Sequence, residues 1–226
     1  MIVFCGSLGS TAEMWGPQLP VLGERQVVFV ELPGHGRAAL RDAPDLDALA
    51  DAVCELVVDE PFTIVGLSLG GAVAMTVAAR RPEAVEAVVL ACTSARFGDR
   101  QQWLDRADTV RRAGLEPIVD AVLARWFTPD FDDVERWREM FLSVEPEGYA
   151  RCCEALAGWD GSGDLRRIEA PTLVIGGSDD PTCPPAAAQE VAALVAHSRL
   201  AVIDGAQHLA NVERPDEFNR LLEEYL

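Results

Sequence analysis

One stretch limits the possible folds more than any other: Thr63 to Arg80, TIVGLSLGGAVAMTVAAR. An apolar run from Phe62 to Val65 ends in Gly66-Leu67-Ser68-Leu69-Gly70, and a helical pattern of small residues follows from Gly71 to Arg80. Run, Gly-x-Ser-x-Gly turn and helix together form the strand–turn–helix signature of a nucleophile elbow. The spacing has a physical basis. A serine on so tight a turn exposes its hydroxyl from a strained backbone, and the flanking glycines let strand and helix cross closely. The amide of Leu69, at the start of the helix, is then aimed where an oxyanion would form.

The rest of the chain reads as the frame for such a turn. Ile2-Val3-Phe4-Cys5, Val27-Val28-Phe29-Val30, Val85 to Cys92, Pro171 to Ile175 and Leu200 to Ile203 are continuous apolar runs. Helical patterns separate several of them. Asp45 can cap a helix whose apolar positions are Leu46, Leu49, Val53 and Val57; two more run over Pro185–Val195 and Pro215–Leu226. Apolar runs without alternation, separated by helices, indicate a parallel sheet covered on both faces. From Asp99 to Gly158 the character changes: three or four helical stretches replace strands, and four of the five tryptophans lie in or beside them. Gly161-Ser162-Gly163 reads as a flexible return to the alternating pattern.

Composition narrows the partners. A net charge of −18 argues against nucleic acid and anionic membrane surfaces, and an anionic substrate would need a local positive group. No segment has the unbroken apolar length of a membrane span, and the start, MIVFCGSLGS, lacks the basic flank of a signal peptide. The six cysteines, Cys5, Cys54, Cys92, Cys152, Cys153 and Cys183, match neither a zinc pattern nor a disulfide framework. They read as small core hydrophobes in a reduced, cytoplasmic chain.

A serine nucleophile needs a base, and the base an orienting carboxylate. The chain has three histidines. Sites on parallel sheets gather at the carboxyl ends of the strands. His197 precedes its strand, whereas His35 and His208 follow theirs. The chain order Ser, acid, His selects His208; His35 reads as structural or as part of the substrate rim. The acid should follow the strand before His208, where Asp179 and Asp180 are both available, and spacing does not separate them. The loop after the first strand, Gly6-Ser7-Leu8-Gly9-Ser10, offers the amide of Leu8 as a second oxyanion donor.

At this point the chain resembles the α/β-hydrolase superfamily over nearly its whole length, and within it the 3-oxoadipate enol-lactonases. The resemblance is carried by Ser7-Leu8-Gly9-Ser10…Met14-Trp15, Leu32-Pro33-Gly34-His35-Gly36-Arg37 and Gly66-Leu67-Ser68-Leu69-Gly70-Gly71, all shared widely. More particular are Cys92-Thr93-Ser94-Ala95-Arg96-Phe97-Gly98, Arg125-Trp126-Phe127-Thr128-Pro129 and His208-Leu209-Ala210-Asn211-Val212-Glu213. It implies an α/β-hydrolase fold: a mostly parallel sheet with helices on both faces and a helical cap. Residues 1–95 and 162–226 would form the core and 96–161 the cap. It also implies that Asp180 is the acid, since Gly177, Asp180 and Pro184 match the family's arrangement, and that no metal or organic cofactor is needed.

The implied reaction is hydrolysis of 3-oxoadipate enol-lactone in the β-ketoadipate pathway, with Arg125 and Trp126 contacting the anionic lactone. A carboxylesterase or cofactor-free perhydrolase on the same residues is the alternative, and a monomer or homodimer is expected. Two departures stand out. Relatives of this kind carry a hairpin before the first strand, so Val27–Val30 is expected at an uncovered sheet edge. Gly6 stands where many of them have a polar residue beside the oxyanion loop.

Overall fold

The apolar runs become the strands of one sheet. The computed structural model describes residues 1–41, 45–57 and 60–226. Its strands are β1 (Ile2–Cys5), β2 (Val27–Val30), β3 (Phe62–Leu67), β4 (Val85–Ala91), β5 (Thr172–Gly177) and β6 (Ser198–Ile203), in the spatial order β2-β1-β3-β4-β5-β6. Every pairing is parallel. Each residue of β1, β3 and β5 is buried. Successive side chains point to opposite faces, so both faces of the sheet are covered, and this is why those runs lack alternation. β2 lies at one edge, and its four residues are only half-buried.

The helices follow from caps and periodicity. A 3-10 turn, Ala12–Gln18, leads into the short α1 (Leu19–Leu22). α2 (Leu46–Leu56) starts at Asp45, whose carboxylate accepts the Ala48 N–H at 2.9 Å, and buries Leu46, Leu49, Ala50 and Val53. α3 (Leu69–Arg80) crosses β1, β3 and β4 and is buried from Leu69 through Ala78, which is why its sequence is mostly small and apolar and its one buried hydroxyl, on Thr76, is hydrogen-bonded. After β4 come four consecutive helices: α4 (Arg100–Ala113), α5 (Val119–Trp126), α6 (Val134–Leu142) and α7 (Pro146–Leu156). α5, α6 and the loop between them share an aromatic cluster in which Trp126 meets Phe141 edge-on at 5.7 Å and Phe127 stacks on Phe131 at 4.2 Å. A backbone bond from Glu145 N–H to the Gly34 carbonyl, 2.8 Å, ties this group to the loop after β2.

α8 (Ser162–Leu165), α9 (Pro185–Leu194), α10 (Ala210–Glu213) and α11 (Pro215–Glu223) complete the chain. Here the structure corrects one expectation. The 161–163 segment is pinned rather than flexible. Gly161 N–H bonds the Ala95 carbonyl at 2.9 Å, Ser162 is buried at the start of α8, and the Arg96 guanidinium reaches Asp160, Glu190 and the Ser162 hydroxyl at 2.9–3.0 Å. Glycine and serine suggested mobility, but these contacts from distant parts of the chain override that local preference. Among the described residues, no helix is long and apolar enough to cross a membrane.

Candidate active site

Ser68 sits between β3 and α3 with φ 59° and ψ −118°, a conformation that a non-glycine residue adopts only under constraint. The constraint is visible on both sides. A Cβ on Gly66 would lie 2.2 Å from the Gly70 carbonyl oxygen, and one on Gly70 would lie 2.0 Å from the Cys5 carbonyl oxygen. Only glycine at both positions permits strand and helix to approach this closely. Ser68 N–H still bonds the Ala91 carbonyl of β4 at 3.0 Å, while its own carbonyl accepts the Thr93 hydroxyl at 2.8 Å. Thr93 belongs to a segment on which the family resemblance rested, and its hydroxyl braces the strained turn.

His208 follows β6, and its Nε2 lies 2.8 Å from Ser68 Oγ across 140 residues of sequence. Its Nδ1 lies 2.8 Å from Asp180 Oδ2, with both side chains buried. A carboxylate accepts, so the proton is on Nδ1 and the Nε2 lone pair receives the Ser68 hydroxyl. The other oxygen of Asp180 accepts the Thr182 and Cys183 amides at 2.8 and 3.0 Å, which turns this carboxylate inward. Asp179, the alternative acid, is exposed and takes the Ser178 hydroxyl instead. A hydroxyl aimed at the free nitrogen of a carboxylate-held imidazole is the arrangement that makes serine a nucleophile.

Donor atoms of Asp180, Cys183 and His208 lie within 4.8 Å of one another, the geometry of a metal cluster. The Asp180 and His208 atoms already hold each other, and burial, helped by the Asp180 charge, raises the Cys183 thiol well above its ordinary pKa.

The His208 loop is fastened to the end of α5. His208 N–H bonds the Arg125 carbonyl at 3.3 Å, and Leu209 N–H bonds the Trp126 carbonyl at 3.1 Å. Glu213, buried at the end of α10, joins the same two segments. One of its oxygens accepts the Thr128 amide at 2.7 Å and the Thr128 hydroxyl; the other accepts the Gln207 amide at 2.6 Å. Sequence reading quoted Glu213 only as part of a motif and gave it no role. Its three partners lie 6 and 85 residues away.

Beside Ser68 and His208 is a cavity of about 250 Å³ whose walls include Leu8, Arg106, Arg125, Trp126 and Tyr149. Leu8, Arg125 and Trp126 were expected here. Arg106 was not, although it stands one turn from Trp103 with its guanidinium 5.0 Å from that ring's centre. Among the described residues, the Leu8 and Leu69 N–H groups donate to no protein acceptor. His35 is fully buried and does not line the cavity, so it is not part of the cavity rim. His197 lies at the opposite end of its strand, just before Ser198.

Comparison with known proteins gives the family. The sequence profile described as the Alpha/beta hydrolase family matches residues 2–221. The chain is 36% identical to 3-oxoadipate enol-lactonase 2 of Acinetobacter baylyi, an alignment covering 98% of this chain and 86% of the relative. It is 31% identical to a pyrrolizixenacetamide deacetylase of Xenorhabdus hominickii, covering 100% of this chain and 90% of the relative. The crystal structure of the enol-lactonase from Burkholderia xenovorans superposes with a TM-score of 0.94 at 33% identity, covering 99% of this chain and 89% of that one. The chain is therefore a member of the alpha/beta hydrolase family.

Proposed function

We propose that this chain hydrolyses 3-oxoadipate enol-lactone to 3-oxoadipate, a step of aromatic-compound breakdown, with Ser68 as nucleophile, His208 as base and Asp180 as the acid that orients it. Ser68 Oγ adds to the lactone carbonyl as its proton passes to His208 Nε2. Asp180 keeps the imidazole tautomer and stabilises its cation. The amides of Leu8 and Leu69 receive the oxyanion. Collapse breaks the ring C–O bond; the enolate leaving group takes the proton from His208 and becomes the ketone. His208 then deprotonates a water that attacks the acyl-enzyme, and 3-oxoadipate leaves.

The observation that carries the substrate choice is the charge of the cavity. Acids outnumber bases 37 to 19 in this chain, yet the cavity walls hold two arginines and no aspartate or glutamate. Neither Arg106 nor Arg125 has an ion-pair partner among the described residues. Unpaired guanidinium groups beside an ester-opening serine favour an ester that carries a carboxylate. Arg125 is exposed, whereas Arg106 is half-buried against Trp103, so Arg106 joins Arg125 as a substrate contact, with Trp126 as a wall. Residues 96–161 act as the cap that brings these side chains over Ser68.

The test is lactone opening by purified protein, beside an uncharged nitrophenyl ester. Ser68→Ala and His208→Ala should each lower kcat about 10⁴- to 10⁶-fold. Arg106→Gln should raise KM for the anionic lactone about 10- to 100-fold and leave the neutral ester unchanged. Equal or better kcat/KM on the neutral ester would refute the substrate choice, and an active His208→Ala variant would refute the choice of base.

A further inference from the structure

The loop Gly6–Ser10 carries the Leu8 amide in a turn, and the two peptide planes either side of Leu8 are each held by hydrogen bonds. The Ser7–Leu8 plane is held by the Ser7 carbonyl, which accepts the Ser10 N–H at 3.1 Å and the Ser10 hydroxyl at 2.7 Å. The Leu8–Gly9 plane is held from outside the loop: Gly9 N–H donates to His35 Nε2 at 3.1 Å. This second brace is the one the loop does not supply itself. Gly9 has φ +83°, and glycine's wide torsional freedom leaves that plane without a steric restraint of its own. A larger residue is excluded, because a Cβ there would come 2.6 Å from the Phe141 ring.

His35 is built as an acceptor. Its Nδ1 lies 3.0 Å from the Pro33 carbonyl, which can only accept, so Nδ1 carries the proton and Nε2 offers its lone pair to Gly9. An imidazolium would set N–H against N–H. The ring is fully buried, and its loop is the one bonded through Gly34 to Glu145, just before α7.

We propose that His35, as the neutral Nδ1–H tautomer, is the positioning residue of the oxyanion loop: it anchors the central Leu8–Gly9 peptide of the turn, so that the turn, and with it the Leu8 N–H, is already seated when negative charge develops on the substrate oxygen. The inference rests on Ser68 acting as the nucleophile. Preorganised donors need no reorientation during reaction, and small misplacement of such a group is costly. Burial lowers the His35 pKa to about 4, so the acceptor persists at neutral and mildly acidic pH. The charged neighbour, Glu31, is occupied by the Ala12 and Arg37 amides at 3.1 and 2.7 Å.

Two substitutions separate positioning from plain folding. Asparagine places an N–H near the Nδ1 position and nothing at Nε2; glutamine reaches the Nε2 position with an oxygen that can accept from Gly9. Active sites are counted by fluorophosphonate labelling, so misfolded molecules drop out. On p-nitrophenyl acetate, His35→Asn should lower kcat per labelled site roughly 10- to 100-fold with KM changed less than about twofold, and should weaken inhibition by phenylboronic acid, a tetrahedral mimic, by a similar factor. His35→Gln should recover most of both. Equal losses in the two variants, or unchanged kcat per site and boronate affinity in His35→Asn, would overturn the proposal. Absence of labelling in the wild type would instead remove the Ser68 reading, and this inference with it.

Discussion

Replacing Glu213 by alanine should both destabilise the fold and loosen the seat of His208. The carboxylate accepts the Thr128 amide, the Thr128 hydroxyl and the Gln207 amide. Its removal leaves two backbone N–H groups without a partner, and an unpaired buried donor costs about 1–3 kcal/mol. Thr128 and Gln207 are half-buried, so water can offset part of this, and the net loss should be about 2–4 kcal/mol. For a chain of this length that is a fall in Tm of about 5–15 °C. The kinetic effect follows from position. Gln207 immediately precedes His208, so the carboxylate that joins α10 to Thr128 through one oxygen also seats the imidazole through the other. Displacement of a reacting group by about 1 Å can lower the rate about 100-fold. Urea unfolding followed by tryptophan fluorescence reads the first effect, and kcat per labelled active site reads the second. Thr128→Val removes only the hydroxyl contact and should cost about 1 kcal/mol with little change in kcat. A Glu213→Ala protein within about 1 kcal/mol of wild type and with unaltered kcat would refute the reasoning.

Two further outcomes follow from buried groups. His35 has its pKa lowered from 6.5 to about 4, chiefly by burial. Below pH 6.5 the unfolded chain therefore takes up a proton that the folded chain refuses. The stabilisation is complete above pH 6.5 and is lost as pH falls toward about 4, so wild type should lose about 3 kcal/mol more than His35→Gln over that interval; parallel stability curves would refute this. Gly70→Ala drives a Cβ to 2.0 Å from the Cys5 carbonyl and 2.6 Å from the Gly6 carbonyl, backbone atoms at the carboxyl end of β1. It should cost about 3 kcal/mol or more, or prevent folding, whereas Gly16→Ala, which meets nothing within 4 Å, should cost less than about 1 kcal/mol; thermal melts of the pair compare them.

Much of the site was legible in the order of residues. Ser68 was marked by the glycines that crowd it, and His208 by its place after a strand. Both signals arise within a few residues. Asp180 was not separable from Asp179 by spacing, because the two are adjacent on one turn; the family resemblance named it, and in the structure the amides of Thr182 and Cys183 turn it inward. Arg106, the contacts of Glu213 and the bond between Gly9 and His35 were invisible for a different reason. The Arg106 guanidinium reaches the cavity only because α4 and its neighbours roof Ser68, and Gly9 lies 26 residues from the imidazole that braces it. The 161–163 segment was misread because its partners, among them Ala95, Arg96 and Glu190, are equally remote.

By itself the amino-acid order determined the strand–turn–helix at Ser68, the parallel sheet and the general place of the base. Steric limits and hydrophobic periodicity act over short spans, and they leave a readable trace. Only the tertiary structure decided which carboxylate meets His208, which arginines face the cavity and which side chains hold the loops. Those choices depend on packing between segments far apart in the chain, where no local pattern records the partner.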